Sequence, residues 1–185
     1  MKRLGRAFFQ RDAATLAHDL IGTVLVHRSS GREYRARIVE AEAYVGPKDL
    51  ACHTSRGRTE RTEVMFGPAG HAYVYLIYGM YDMFNIVAGT MGSGQAVLIR
   101  AAEPLDGWTV DLSGPGKLTR AFQITRKMNG LDLTGERLFL RHDPLCRPRI
   151  RKAKRIGVEY AGRWKDRLLR FYDAGSTAVT HRPDR

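Results

Sequence analysis

Near the start of the chain the apolar positions recur first at helical spacing and then at strand spacing. Asp12 stands before Ala13-Ala14-Thr15-Leu16-Ala17-His18-Asp19-Leu20, where Leu16 and Leu20 lie one turn apart and Gly22 follows. An N-cap, an apolar stripe and a glycine stop predict a short amphipathic helix. Thr23 to His27 reads as an apolar strand, Arg28 to Arg32 as a turn, and Tyr34 to Tyr44 as the returning arm of a hairpin. Within that arm, Arg37-Ile-Val-Glu-Ala-Glu-Ala-Tyr44 has period two, which places Val39, Ala41 and Ala43 on one face and Glu40, Glu42 and Tyr44 on the other. Unpaired carboxylates are almost never buried, so this acidic face is expected to meet either solvent or a substrate.

Gly46-Pro47-Lys48-Asp49 ends the strand, and the segment through Arg61, with His53, Arg56 and Arg58, has no clear period. From Gly70 to Val87 two β-rich arms flank Tyr78-Gly79-Met80, where Gly79 supplies the backbone freedom of a tight reversal. Tyr78 is therefore expected at or beside a hairpin tip, with Tyr73 and Tyr75 sharing one face of the first arm. Four tyrosines in nine residues suit ordinary strand packing, and one exposed at a tip also suits a wedge between bases. Ala96 to Ala101 is a further apolar strand with Arg100 at its end. Ser113-Gly-Pro-Gly-Lys117 opens a helix whose apolar stripe holds Leu118, Ala121, Phe122 and Thr125. Its glycines fit a phosphate contact or simple capping equally, and the spacing is not that of a P-loop. Arg137 to Arg141 and Leu168 to Tyr172 read as strands, Arg147 to Arg155 holds six Lys or Arg among nine residues, and Gly175 to Arg185 is polar and expected to fray. With no repeat or linker, residues 1–185 are expected to form a single α+β domain. Its parts would be a curved, mostly antiparallel sheet, short surrounding helices and a protruding β-hairpin.

Composition changes this picture in one respect. Apolar residues at 43% and charged residues at 27% are ordinary for 185 residues, but 31 Lys and Arg against 19 Asp and Glu give +12 and a pI near 10.2. Such a surplus implies a polyanionic partner, nucleic acid first and an anionic membrane second. Neither a leader nor a membrane-spanning apolar run is visible, so bacterial cytoplasmic residence is expected. Cys52 and Cys146 form no Cys-x-x-Cys pair and are expected to be reduced and structural.

In order and spacing, several stretches resemble the alkyladenine (3-methyladenine) DNA glycosylase family over nearly the whole chain. They are Arg37-Ile-Val-Glu-Ala-Glu-Ala-Tyr44, Ala51-Cys-His53, Tyr73-Val-Tyr-Leu-Ile-Tyr-Gly-Met-Tyr81 with Asn85, Leu98-Ile-Arg-Ala-Ala-Glu-Pro104, Ser113-Gly-Pro-Gly-Lys-Leu118 and Arg155-Ile-Gly-Val158. The resemblance implies a monofunctional base-excision enzyme, monomeric and without cofactor or metal. Its partner would be double-stranded DNA containing damaged purines, which would hold it at the nucleoid, with no membrane involved. It implies Glu42, rather than Glu40, as general base, with Arg100 near the catalytic water and the phosphate of the flipped nucleotide. It implies Tyr44, His53 and Tyr75 as the base-stacking pocket, and Asn85 as the residue that crowds the amino group of normal guanine. Tyr78, with Met80 beside it, would enter the minor groove and fill the vacated stack. Arg58, Arg61, Lys117 and Arg155 would meet the DNA backbone. The chain departs from the family at Thr59-Glu60-Arg61-Thr62-Glu63, where Thr-Pro-Arg-Asn is usual, and this leaves the conformation of the loop open.

Chemistry argues separately in the same direction. Breaking an N-glycosidic bond develops oxocarbenium character on the sugar, which calls for a carboxylate that deprotonates water and offsets that charge. A cationic alkylated purine between tyrosines gains a cation–π attraction that a normal base lacks. The target is unreachable inside a duplex, so the nucleotide must be flipped out. A zinc deaminase needs His-x-Glu with Pro-Cys-x-x-Cys, and neither occurs. The rival of another class is a non-catalytic nucleic-acid-binding module that uses the tyrosines for stacking and the basic run as a groove.

Overall fold

The computed structural model describes residues 1–180. Among these, short helices α1 (Arg6–Phe9), α2 (Ala13–Leu20) and α3 (Pro115–Ala121) surround nine strands. The strands are β1 (Lys2–Arg3), β2 (Val24–Ser29), β3 (Arg32–Tyr44), β4 (Ala72–Ile77), β5 (Tyr81–Ala88), β6 (Gln95–Pro104), β7 (Leu138–His142), β8 (Ile150–Ala153) and β9 (Arg170–Asp173). They pair antiparallel in the order β1-β7-β2-β3-β6-β5-β4, with β9 joining β3 to β8, and the fold is α+β as the sequence predicts.

Asp12 caps α2, accepting from the Ala14 and Thr15 amides at 3.0 and 3.1 Å. Leu16 and Leu20 then bury against a core that includes Ile38, Ala41, Ile99 and Phe171. Full burial of each such leucine contributes about 1.5–3 kcal/mol. Strand β3 runs through the middle of the sheet. Its first half pairs with β2; farther on, Glu40 to Glu42 pair with Tyr172 to Arg170 of β9, while β6 follows the opposite edge. The acidic stretch thus has a strand on each side.

Between β3 and β6 the pairing steps from Ile38↔Ala102 to Glu40↔Ala101 to Ala41↔Ile99, passing over Val39 on one strand and Arg100 on the other. Each strand absorbs one extra residue, so the register survives while the alternation of faces slips. Ile38 and Ala41 consequently share the main core, and Val39 packs with Ala101, Ala153, Tyr172 and Val179 on the other side. The expected grouping of Val39 with Ala41 and Ala43 is corrected by this paired bulge.

The expectation of a frayed segment from Gly175 is also corrected as far as Thr180. Ser176 and Val179 are buried, and the Thr180 amide donates to Glu40. Residues 181–185 of that segment lie outside the described residues. Both Cys52 and Cys146 are free thiols. No helix among the described residues is long and apolar enough to cross a membrane.

Candidate active site

Glu40 and Glu42 are fully buried, not exposed along an open face. The reason lies in two arginines, Arg100 and Arg170, and two backbone amides. Glu40 accepts from Arg170 Nη1 at 2.9 Å and from the Thr180 amide at 2.6 Å, while Arg100 Nε lies 3.4 Å away. Arg170 is itself fixed by the Lys154 and Thr180 carbonyls at 2.8 and 3.1 Å. Glu40 is therefore held between Arg170, Arg100 and the Thr180 amide, away from the cavity lining.

Glu42 accepts from the Ile156 amide at 2.8 Å and from the Tyr44 hydroxyl at 3.1 Å, with Arg100 Nη1 at 3.4 Å. Burial raises its pKa, against the lowering influence of Arg100, Ile156 and Tyr44 and with a further push upward from Glu40. The Tyr44 phenol is raised still further by burial and the adjacent Glu42 charge, so it remains a donor. Arg100 stands between both carboxylates at ion-pair distance. Its buried Nε has no aligned hydrogen-bond acceptor among the described residues.

A cavity of about 380 Å³ opens beside this cluster, and Tyr44, His53, Tyr75, Asn85 and Arg100 all line it, as does Tyr78 at its mouth. Glu42 itself lies immediately behind the wall, in contact with three lining residues, Tyr44, Arg100 and Ile156. His53 packs edge-on to Tyr75, with ring centroids 4.6 Å apart, and its Nδ1 lies 2.9 Å from the Tyr73 hydroxyl. Burial first, then Arg61 and Arg56, lower His53 to about 4, so the ring is neutral at physiological pH. Asn85 donates its amide to the Tyr73 and Met83 carbonyls at 3.2 and 3.3 Å, which fixes it against the cavity.

The hairpin of β4 and β5 carries Tyr78 and Met80 at its tip, 84% and 68% exposed. Tyr78 and Gly79 both adopt positive φ, 52° and 70°, and the Met80 amide closes the turn on the Ile77 carbonyl at 3.2 Å. Positive φ is unusual for a bulky residue, so the turn holds Tyr78 outward at some conformational cost. The hairpin is braced from behind. Thr119 Oγ1 donates to the Asp82 carbonyl at 2.8 Å, and a Cβ on Gly116 would come within 2.9 Å of the Tyr81 ring.

The four basic residues expected at the DNA backbone separate into different environments. Arg58 and Lys117 are exposed, paired respectively with Glu63 and with Asp111. Arg61 lies over the Tyr75 ring. Its loop, which lacks the usual proline and asparagine, is tied by Thr62, whose hydroxyl accepts from the Thr59 amide at 2.8 Å and donates to the Gly57 carbonyl at 3.2 Å. Arg155 has no exposed side-chain surface; it donates to both Asp49 oxygens and to the Ala43 carbonyl. A phosphate has no route to it, so the backbone-contact expectation for Arg155 is corrected to an internal anchor.

Sequence reasoning missed Tyr160, Arg170 and Asp49. Tyr160 lines the cavity mouth while remaining 70% exposed, and its one cue was its place just beyond the Arg155-Ile-Gly-Val158 match. Arg170 and Asp49 left no local signal, because each acts on a residue more than a hundred positions away.

A family model described as methylpurine-DNA glycosylase matches residues 7–177. A protein of Anaeromyxobacter sp. (strain Fw109-5) is 50% identical over 182 residues, covering 98% of this chain and 94% of its own length. One from Legionella pneumophila (strain Lens) is 49% identical over 174 residues, covering 93% and 94%. One from Myxococcus xanthus (strain DK1622) is 45% identical over 186 residues, covering 99% and 96%. All three carry the provisional name 3-methyladenine DNA glycosylase.

Proposed function

The chain belongs to the methylpurine-DNA glycosylase family of base-excision-repair hydrolases, and from that premise we propose that it removes alkylated or deaminated purines flipped out of duplex DNA, using water activated by Glu42 and no lyase step. One observation carries the reading: a fully buried carboxylate of raised pKa lies directly behind an aromatic cavity large enough for a nucleobase.

Water attacks C1′ of the flipped deoxyribose, Glu42 takes a proton from it, and the glycosidic electron pair leaves with the base. As the sugar gains positive character, the ionised Glu42 offsets it in a site of low polarity. Arg100, shared between the two glutamates and lining the cavity, would meet the phosphate of the same nucleotide. The extruded base occupies the cavity between Tyr44 and the His53–Tyr75 pair, and Asn85 shapes its far wall. Tyr78 and Met80 enter the gap in the stack, which offsets part of the cost of flipping. The cavity wall includes no lysine among the described residues, which supports hydrolysis over a Schiff-base route.

The test is base release from a panel of duplexes, each carrying one lesion among 3-methyladenine, 7-methylguanine, hypoxanthine and an etheno adduct. Glu42→Gln should abolish release while leaving affinity for an abasic-site analogue within about tenfold, roughly 1.4 kcal/mol. Undiminished release by that variant removes Glu42 from the mechanism, and no release by the unmodified protein favours a binding module instead.

A further inference from the structure

Cation–π attraction is the simplest way for a tyrosine-walled cavity to prefer a methylated purine. Here both stacking tyrosines are already engaged by cations. The Arg61 guanidinium lies over Tyr75, 5.0 Å from the ring centroid, and Arg155 lies over Tyr44 at 4.8 Å. Both tyrosines line the cavity and neither arginine does, so each guanidinium covers its ring from outside.

The two arginines differ in net charge. Arg155 is neutralised by its bidentate contact with Asp49. Glu63, in the same loop as Arg61, is taken by Arg58, and Arg61 has no ion pair within 4.0 Å among the described residues. Its charge is also felt by the neighbouring wall, where it adds to burial in keeping His53 neutral. An aromatic ring is negative on both faces. A cation on one face draws density toward itself and adds positive potential at the other, so a second cation there is held less strongly.

We propose that Arg61 is a specificity-determining residue that weakens the cavity's preference for cationic methylated purines relative to neutral deaminated ones, by occupying the outer face of Tyr75. The inference rests on the glycosylase reading above. It differs from a phosphate contact in a measurable way: a backbone contact serves every lesion alike, whereas charge behind the stacking wall acts on the charge of the base.

The test compares single-turnover release of 7-methylguanine and of hypoxanthine, under saturating enzyme, by the unmodified protein, Arg61→Gln and Arg61→Lys. The ratio of 7-methylguanine to hypoxanthine release should rise about threefold in Arg61→Gln, the size of one cation–π contact at an accessible ring. In Arg61→Lys, which retains the charge, it should stay within about twofold of the unmodified protein. An unchanged ratio in Arg61→Gln overturns the proposal, including when both rates fall by the same factor. So does a ratio in Arg61→Lys as high as in Arg61→Gln. Release of neither base by the unmodified protein overturns the glycosylase reading, and this inference with it.

Discussion

Burial perturbs Glu42 and His53 in opposite directions, because it penalises the charged form of each. The Glu42 carboxyl is raised above its ordinary 4.5 and the His53 imidazole falls to about 4. A 7-methylguanine lesion is already cationic and leaves without further protonation, so under the proposed mechanism its release needs only ionised Glu42. The single-turnover rate should rise with pH through a midpoint above 4.5 and then stay flat to about pH 8, with no inflection from His53. A plateau broken near 6.5 in the pH–rate profile would show His53 titrating. Glu42 binds its proton more tightly folded than unfolded, so its contribution to stability has the reverse of the usual carboxylate sign. The destabilisation is present above the folded pKa and is relieved as pH falls through it toward 4.5. Glu42→Gln should therefore raise Tm at pH 7, by about 2–4 °C per kcal/mol, and the gain should shrink in acid. Thermal melts at both pH values check this; a lower Tm for the variant at pH 7 would mean that the contacts to Arg100, Tyr44 and Ile156 outweigh burial.

At the scale of elements, the β4–β5 hairpin and the β3–β6 pair differ in how far the sequence reveals them. The hairpin was legible because its determinants are local: alternating tyrosines, and a glycine at the reversal. The left-handed conformation of Tyr78 was not, since only the observed turn places two positive φ values in succession. The paired bulge at Val39 and Arg100 left no signature in either strand alone, because it concerns their mutual register. Yet that bulge shares out Val39 to one core and lets Arg100 reach both glutamates. For the hairpin, Tyr78→Ala should reduce release from duplex DNA at least tenfold, about 1.4 kcal/mol. The fluorescence rise of a 2-aminopurine placed in the flipped position should be lost with it. Unchanged fluorescence on binding would separate the tip from flipping.

Across the whole molecule, the basic surplus is less uniform than its run in the sequence implies. Between Arg147 and Arg155, Lys154 pairs with Asp166, Lys152 lies over Phe171, and Arg155 is internal. The motif match at Arg155-Ile-Gly-Val158 was sound as a landmark, and its meaning is tertiary: Arg155 ties the 155–158 turn to Asp49, so that the Ile156 amide faces Glu42. Breaking a buried pair by removing one partner typically costs about 3–5 kcal/mol, since the other charge is left stranded. Arg155→Ala should lower stability by that amount in chemical denaturation, and the double variant with Asp49→Ala should recover part of it. A double variant whose loss equals the sum of the two single losses would show that the pair is not coupled.

The partners of Glu40 arrive late. Arg170 stands 130 residues beyond it and the Thr180 amide 140. During synthesis, β3 therefore leaves the ribosome long before the last partners of Glu40 have emerged, with only Arg100 arriving earlier, and contacts this distant close slowly. A chain ending between residues 160 and 170 holds every residue of the proposed catalytic pocket but lacks Arg170 and the Thr180 amide, which hold Glu40 behind it.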